Sequence, residues 1–228
     1  MGSNVTWDIV GSGKPLEGVN INTTEEGIKI KYDKWAEEYD KDMISYNYQA
    51  PVIAVRAFSE NAQKYAISKD AKVIDIGAGT GKIGELLSKE GYTNIDGLDI
   101  SPDMLEVAKG KGCYKSLICG SIGNKSLAIP DDQYDALLCI GCVTLGHIKP
   151  NGISEMLDMI KPGGLYLFTI RTDAADAVEY GYKQIIDELV AEQKMRVIFK
   201  EKIGYLAATA SEDLARYCYL YGFVKKSF

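Results

Sequence analysis

The stretch Asp75-Ile76-Gly77-Ala78-Gly79-Thr80-Gly81 places glycine at every second position, directly after a short apolar run and ahead of a helical one. Without Cβ atoms the backbone can turn tightly there and come close to a ligand. Asp99 ends the next apolar run, 22 residues after Gly77, about where an acidic side chain takes both hydroxyls of an adenosine ribose. Two separated features therefore agree on a nucleoside. A phosphate-cradling P-loop would need glycine at position 76 and Ser or Thr at position 83, and both are Ile. A dinucleotide fingerprint starting at Gly77 would need glycine at position 82, where Lys stands, and occurs only out of register as Gly79, Gly81 and Gly84. What remains is an acid two residues before the first of several alternating glycines.

The elements that must hold these residues follow from the apolar pattern. Short runs at 72–76, 95–100, 114–119, 134–140 and 165–170 read as strands, alternating with helical segments at 82–89, 102–109 and 153–160. Ser101-Pro102 supplies an N-cap and a first-turn proline. Such alternation implies right-handed crossovers and a mainly parallel sheet covered on both faces. A helix over about 174–192 and two further strands, 197–205 and 216–226, complete the count. Upstream, Tyr32, Trp35, Tyr39, Met43 and Tyr46 recur at one-face helical spacing through residue 48, and Pro51 opens another helix to about 67. Residues 1–30, rich in Gly, Asn, Ser and Thr, read as a mobile arm.

The acid-plus-glycine loop resembles that of class I S-adenosylmethionine-dependent methyltransferases, and further phrases extend the likeness. Asp99-Ile100-Ser101-Pro102-Asp103-Met104-Leu105 is similar to the family's second motif, and Lys161-Pro162-Gly163-Gly164 to its turn before strand five. Cys119-Gly120-Ser121-Ile122 stands where relatives carry an Asp for the adenine amino group, so Ser121 is a departure. The opening Tyr32-Asp33-Lys34-Trp35-Ala36-Glu37-Glu38-Tyr39-Asp40, with Tyr48-Gln49-Ala50-Pro51, resembles the methyltransferase-like group containing the Williams-Beuren syndrome chromosome region 27 protein. The resemblance implies an α/β, Rossmann-like, seven-stranded, mostly parallel sheet with helices on both faces and an N-terminal helical lid. Domain 31–228 would then comprise the lid at 31–68 and the cofactor-binding core at 69–228. It implies S-adenosylmethionine as cofactor, with S-adenosylhomocysteine as product. Tyr32, Trp35, Asp75, Gly77, Ala78, Gly79, Gly81, Asp99, Ile100, Ser101, Met104, Gly120, Ser121, Ile122, Ile140 and Gly141 would line its site. No metal is expected.

Methyl transfer from a sulfonium is an in-line displacement, so holding the acceptor collinear at about 3–3.5 Å can supply much of the rate. Acceptors lie beyond the carboxyl end of strand four, which delivers the single histidine, His147. His147 reads either as a packing residue or as an acceptor-orienting group or general base. Arg171, after strand five, reads as a clamp for an acceptor carboxylate or as the partner of a local acid. Tyr39 and Trp35 read as core or as aromatic cover beside a cation. Cys139-Ile140-Gly141-Cys142 has no second ligand pair and reads as buried thiols.

In 228 residues, 26 Lys and Arg stand against 32 Asp and Glu, a net charge of −6, which disfavours a nucleic-acid partner. No apolar run approaches a membrane span, and five scattered cysteines suit a reducing, cytoplasmic setting. The expected function is methylation at N or O of a small aromatic or amine acceptor by a monomer or homodimer. Carbon methylation of a quinone-like ring, or S-adenosylmethionine binding without catalysis, are the alternatives.

Overall fold

The structure, a computed structural model, describes residues 18–205 and 217–227. Seven strands, β1 (Val73–Ile76), β2 (Ile95–Asp99), β3 (Ser116–Cys119), β4 (Tyr134–Val143), β5 (Ile160–Arg171), β6 (Met195–Gly204) and β7 (Tyr217–Lys225), form one sheet in the order β3-β2-β1-β4-β5-β7-β6. The pairs among β3, β2, β1, β4 and β5 are parallel, and β7 runs antiparallel to both its neighbours. The order reverses between β1 and β4, and at such a switch point the strand ends diverge and leave a crevice.

Helices α1 (Glu25–Trp35), α2 (Tyr39–Ser45), α3 (Ala50–Lys64), α4 (Lys82–Lys89), α5 (Pro102–Gly110), α6 (Pro150–Asp158), α7 (Thr172–Asp176) and α8 (Tyr182–Ala191) surround it. Strand side chains alternate between faces. Val73, Leu138, Leu165 and Leu220 therefore join Ala54, Phe58 and Leu87 in one core layer. Ile74, Leu137, Phe168 and Phe223 meet Ile153, Met156, Ile186 and Leu189 in the other. β1, buried at all four residues, is the near-continuous apolar run that a central parallel strand requires.

Four elements differ from the sequence expectation. The helix expected over 153–160 ends at Asp158, and β5 begins at Ile160, which pairs with Tyr134, and runs through the turn expected at 161–164. The aromatic stretch is two helices, since α1 ends at Trp35 and α2 restarts at Tyr39. α1 starts at Glu25, capped by the Thr24 side chain accepting from Gly27 N–H at 3.1 Å, so the arm expected over 1–30 is shorter at its C-terminal end. The helix expected over 174–192 is broken into α7, a 3-10 turn (Val178–Tyr180) and α8, because Gly181 takes φ +75° and ends the turn. Residues 1–17 of the expected arm, and Arg216 at the start of the last expected strand, lie outside the described residues. Among the described residues no helix is long and apolar enough to cross a membrane.

Candidate functional site

Between β1 and α4 the glycine loop is tied to β2: the N–H groups of Gly77 and Ala78 both donate to the Leu98 carbonyl, at 2.7 and 2.9 Å. Gly77 takes φ +70°, and a Cβ there would lie 2.0 Å from Cys142 Sγ, so only glycine fits. Gly79 N–H donates to Asp99 Oδ2 at 2.8 Å, and Ser101 N–H to Asp99 Oδ1 at 2.9 Å. These contacts hold the buried Asp99 carboxylate at the end of β2. Burial raises its pKa, and the N–H donors of Ser101, Gly79 and Ile100 oppose that rise.

The crevice at the switch point is a cavity open to solvent on one side, the place where open α/β sheets bind ligands. It is lined by Tyr32, Tyr39, Gly77, Gly79, Asp99, Ile100, Met104, Gly120, Ser121, Ile122, Ile140, Gly141 and His147, all of them residues singled out from the sequence. It is also lined by Glu25, Ile28, Cys142, Gly146 and Ile148, which sequence reasoning missed. A signal for the first two existed: Thr24 followed by Glu25 and Glu26 is a cap with an acidic first turn. A second cleft adjoins the first and shares Tyr39, Gly77, Gly79 and Ile140 with it.

The remaining expected site residues are elsewhere. Ala78 lines only the adjoining cleft. Gly81 takes φ +90° as the N-cap of α4. Ser101 caps α5, accepting from Met104 N–H at 3.1 Å, and donates its hydroxyl to Asp33 Oδ1 at 2.6 Å, which ties α1 to α5. Trp35 donates Nε1–H to Asp42 Oδ2 at 2.8 Å and packs on Tyr32 and Tyr39, supporting the cavity wall from behind. Asp75 lies beneath the loop, outside the lining: the Tyr114 hydroxyl donates to its Oδ2 at 2.7 Å, and its buried Oδ1 has no hydrogen-bond partner. Burial lifts its pKa to about 7 against the opposing Tyr114 bond. Arg171 is not among the cavity-lining residues, and its Nε donates to Asp173 Oδ1 at 2.9 Å, with both side chains only 6% exposed. Of the two readings of Arg171, the local pair is what forms.

His147 does meet a residue of α1. Its Nδ1 is 3.2 Å from the Leu145 carbonyl, which can only accept, so Nδ1 carries the proton. Nε2 is then the acceptor, and the Tyr32 hydroxyl donates to it at 2.9 Å. Burial, the dominant cause, lowers the His147 pKa to about 4, so the ring is neutral at pH 7.

A nucleoside bearing a cationic centre fits these residues. Asp99 offers carboxylate oxygens to paired hydroxyls, Ile100, Ile122, Met104 and Ile28 offer apolar surface to a planar base, and among the described residues no Lys or Arg lines the cavity to hold a pyrophosphate.

Comparison with known proteins agrees. The family described as a methyltransferase domain matches residues 73–164. Methyltransferase-like protein 27 of Homo sapiens is 35% identical over 145 residues, covering 64% of this chain and 58% of that protein. Demethylmenaquinone methyltransferase of Tropheryma whipplei is 27% identical over 164 residues, covering 72% and 63%. The chain thus spans about three fifths of the length of these relatives. The solved magnesium protoporphyrin IX methyltransferase of Synechocystis, with S-adenosylmethionine bound, superposes with TM-score 0.64 at 15% identity, over 89% of this chain and 97% of that one. A methyltransferase of Clostridium acetobutylicum superposes with TM-score 0.57 at 17% identity, over 86% and 99%. At these identities the two structures speak for the fold. Residues 73–164 are thus similar to a methyltransferase domain, and the seven-stranded sheet built around them shares the fold of solved S-adenosylmethionine-dependent methyltransferases.

Proposed function

We propose that the chain transfers a methyl group from S-adenosylmethionine to nitrogen or oxygen of a small aromatic or amine acceptor. The observation that carries this reading is one cavity holding both Asp99, suited to a ribose, and the hydrogen-bonded pair Tyr32–His147. Bound there, the cofactor supplies an electrophilic methyl carbon on a sulfonium. Asp99, the loop backbone and the apolar wall of Ile100 and Ile122 orient it. Tyr32 and Tyr39, from α1 and α2, act as the lid: they exclude water and set aromatic faces beside the cationic centre, an attraction of roughly 0.5–2 kcal/mol. The neutral His147 takes a proton at Nε2 once attack makes the acceptor's proton acidic, with Tyr32 yielding that position or relaying the proton.

The acceptor reaches the cavity over its shared wall at Tyr39. A second reading, carbon methylation of a quinone-like ring, is favoured by the relative named demethylmenaquinone methyltransferase. The net charge of −6 argues against nucleic-acid acceptors, and the protein is taken to act in the cytoplasm as a monomer or homodimer. Calorimetric titration with S-adenosylhomocysteine, followed by a product-release screen over phenols, N-heteroaromatics, amines and naphthoquinols, tests the reading. Micromolar binding and turnover of the first three classes are expected. Turnover of naphthoquinols alone favours the second reading, and absence of nucleoside binding overturns both.

A further inference from the structure

The cavity lining contains a second carboxylate. Among the described residues lining it only Asp99 and Glu25 are acidic, and they come from different elements, Asp99 from the end of β2 and Glu25 from the first turn of α1. The Ser121 hydroxyl donates to Glu25 Oε2 at 2.9 Å and itself accepts from Asn124 Nδ2 at 3.2 Å. The single hydroxyl proton of Ser121 is thereby committed, and Ser121 acts as a prop that aims the carboxylate. Among the described residues Glu25 Oε1 receives no hydrogen bond. Close by in the lining, Ile28, Ile100 and Ile122 are apolar and offer a planar base surface without polar competition.

A purine that lays its ribose on Asp99 must present its other polar edge to this wall. An adenine edge carries an exocyclic N–H donor, for which an anionic acceptor is the complement, whereas a 6-oxo purine would set its carbonyl against the carboxylate. We propose that Glu25 accepts the hydrogen bond of the cofactor's adenine amino group and sets the preference for an adenine nucleoside over a deaminated one. Glu25 thereby determines cofactor specificity from outside the glycine-loop domain. The inference rests on the cofactor reading above.

The test compares binding of S-adenosylhomocysteine with binding of its deaminated counterpart, S-inosylhomocysteine, by calorimetry. The native chain is expected to prefer the adenine compound by about 50-fold or more, since a site built for a donor leaves its acceptor unpaired against the analogue. Glu25→Gln, whose amide can also donate to a 6-oxo group, is expected to cut the preference below about fivefold. Ser121→Asp with Glu25 kept sets two carboxylates side by side and is expected to weaken adenine binding about tenfold. The same change in Glu25→Ala is expected to restore the preference to above about tenfold. Glu25 is exposed, so melting temperatures close to the parent's will show these variants folded. Tight binding of S-adenosylhomocysteine with an unchanged preference in Glu25→Gln overturns this inference alone. Absence of binding by the native chain overturns the cofactor reading and this inference with it.

Discussion

The Tyr114 hydroxyl sits between Asp75 and the start of α4: it donates to Asp75 Oδ2 at 2.7 Å and accepts from Gly84 N–H at 3.2 Å. It joins the acid of β1 to the helix that follows the glycine loop, and leaves Asp75 Oδ1 buried without a partner. The loop thus rests on a carboxyl group whose charge is costly.

That cost gives a pH signature. In the folded chain the Asp75 pKa is about 7, above its ordinary 3.8. Between these values the folded state holds a proton that the unfolded state has lost, so this group's contribution to stability is full below 3.8 and is lost as pH rises through about 7. His147 has the opposite slope between 4 and 6.5, so the difference between native and Asp75→Asn isolates Asp75. Urea melts should show Asp75→Asn near parental stability at pH 4 and relatively more stable by about 2–4 kcal/mol at pH 8. A pH-independent difference would remove the buried-charge account.

His147→Ala is expected to lower turnover by about 10²–10³-fold while leaving affinity for S-adenosylhomocysteine within about threefold. Because the ring titrates near 4, the acid limb of the kcat/KM profile should fall below about pH 5, with no inflection near 6.5. An unchanged rate in His147→Ala would make this residue a packing partner of Tyr32.

Asp99→Ala removes both the ribose acceptor and the acceptor of Gly79 N–H and Ser101 N–H. Calorimetry should show binding weakened by more than about 100-fold, roughly 2.7 kcal/mol. Asp99→Asn, which keeps a carbonyl for one of these donors, should melt closer to the parent yet still bind weakly. Micromolar affinity retained in both variants would contradict the placement of the ribose.

Arg171 faces Asp173 instead of an acceptor, so Arg171→Ala should cost about 3–5 kcal/mol of stability by leaving a buried carboxylate unpaired. The double change Arg171→Met with Asp173→Leu should recover most of that loss in denaturant melts. An acceptor KM that rises in the folded double variant would return Arg171 to the site.

The glycine loop was legible in the sequence because its requirement is local: alternating glycines supply positive φ and close approach wherever the chain runs next. Asp99, Ile100 and Met104 were legible for the same reason, since one strand and one capped helix fix where they point. The sheet followed from alternating apolar runs, whose burial on two faces leaves little freedom in connection. Tertiary structure decided what depends on pairs remote in sequence. Tyr32 meets His147 across 115 positions, and Ser121 meets Glu25 across 96. It also decided Arg171: a strand-end position gives the side chain two directions, and the nearby buried Asp173 fixes one of them. Sequence by itself determined which backbone could receive a nucleoside. Only the folded chain decided which side chains close around it, because contact between distant segments depends on how the first helices pack against the sheet, and no local spacing encodes that.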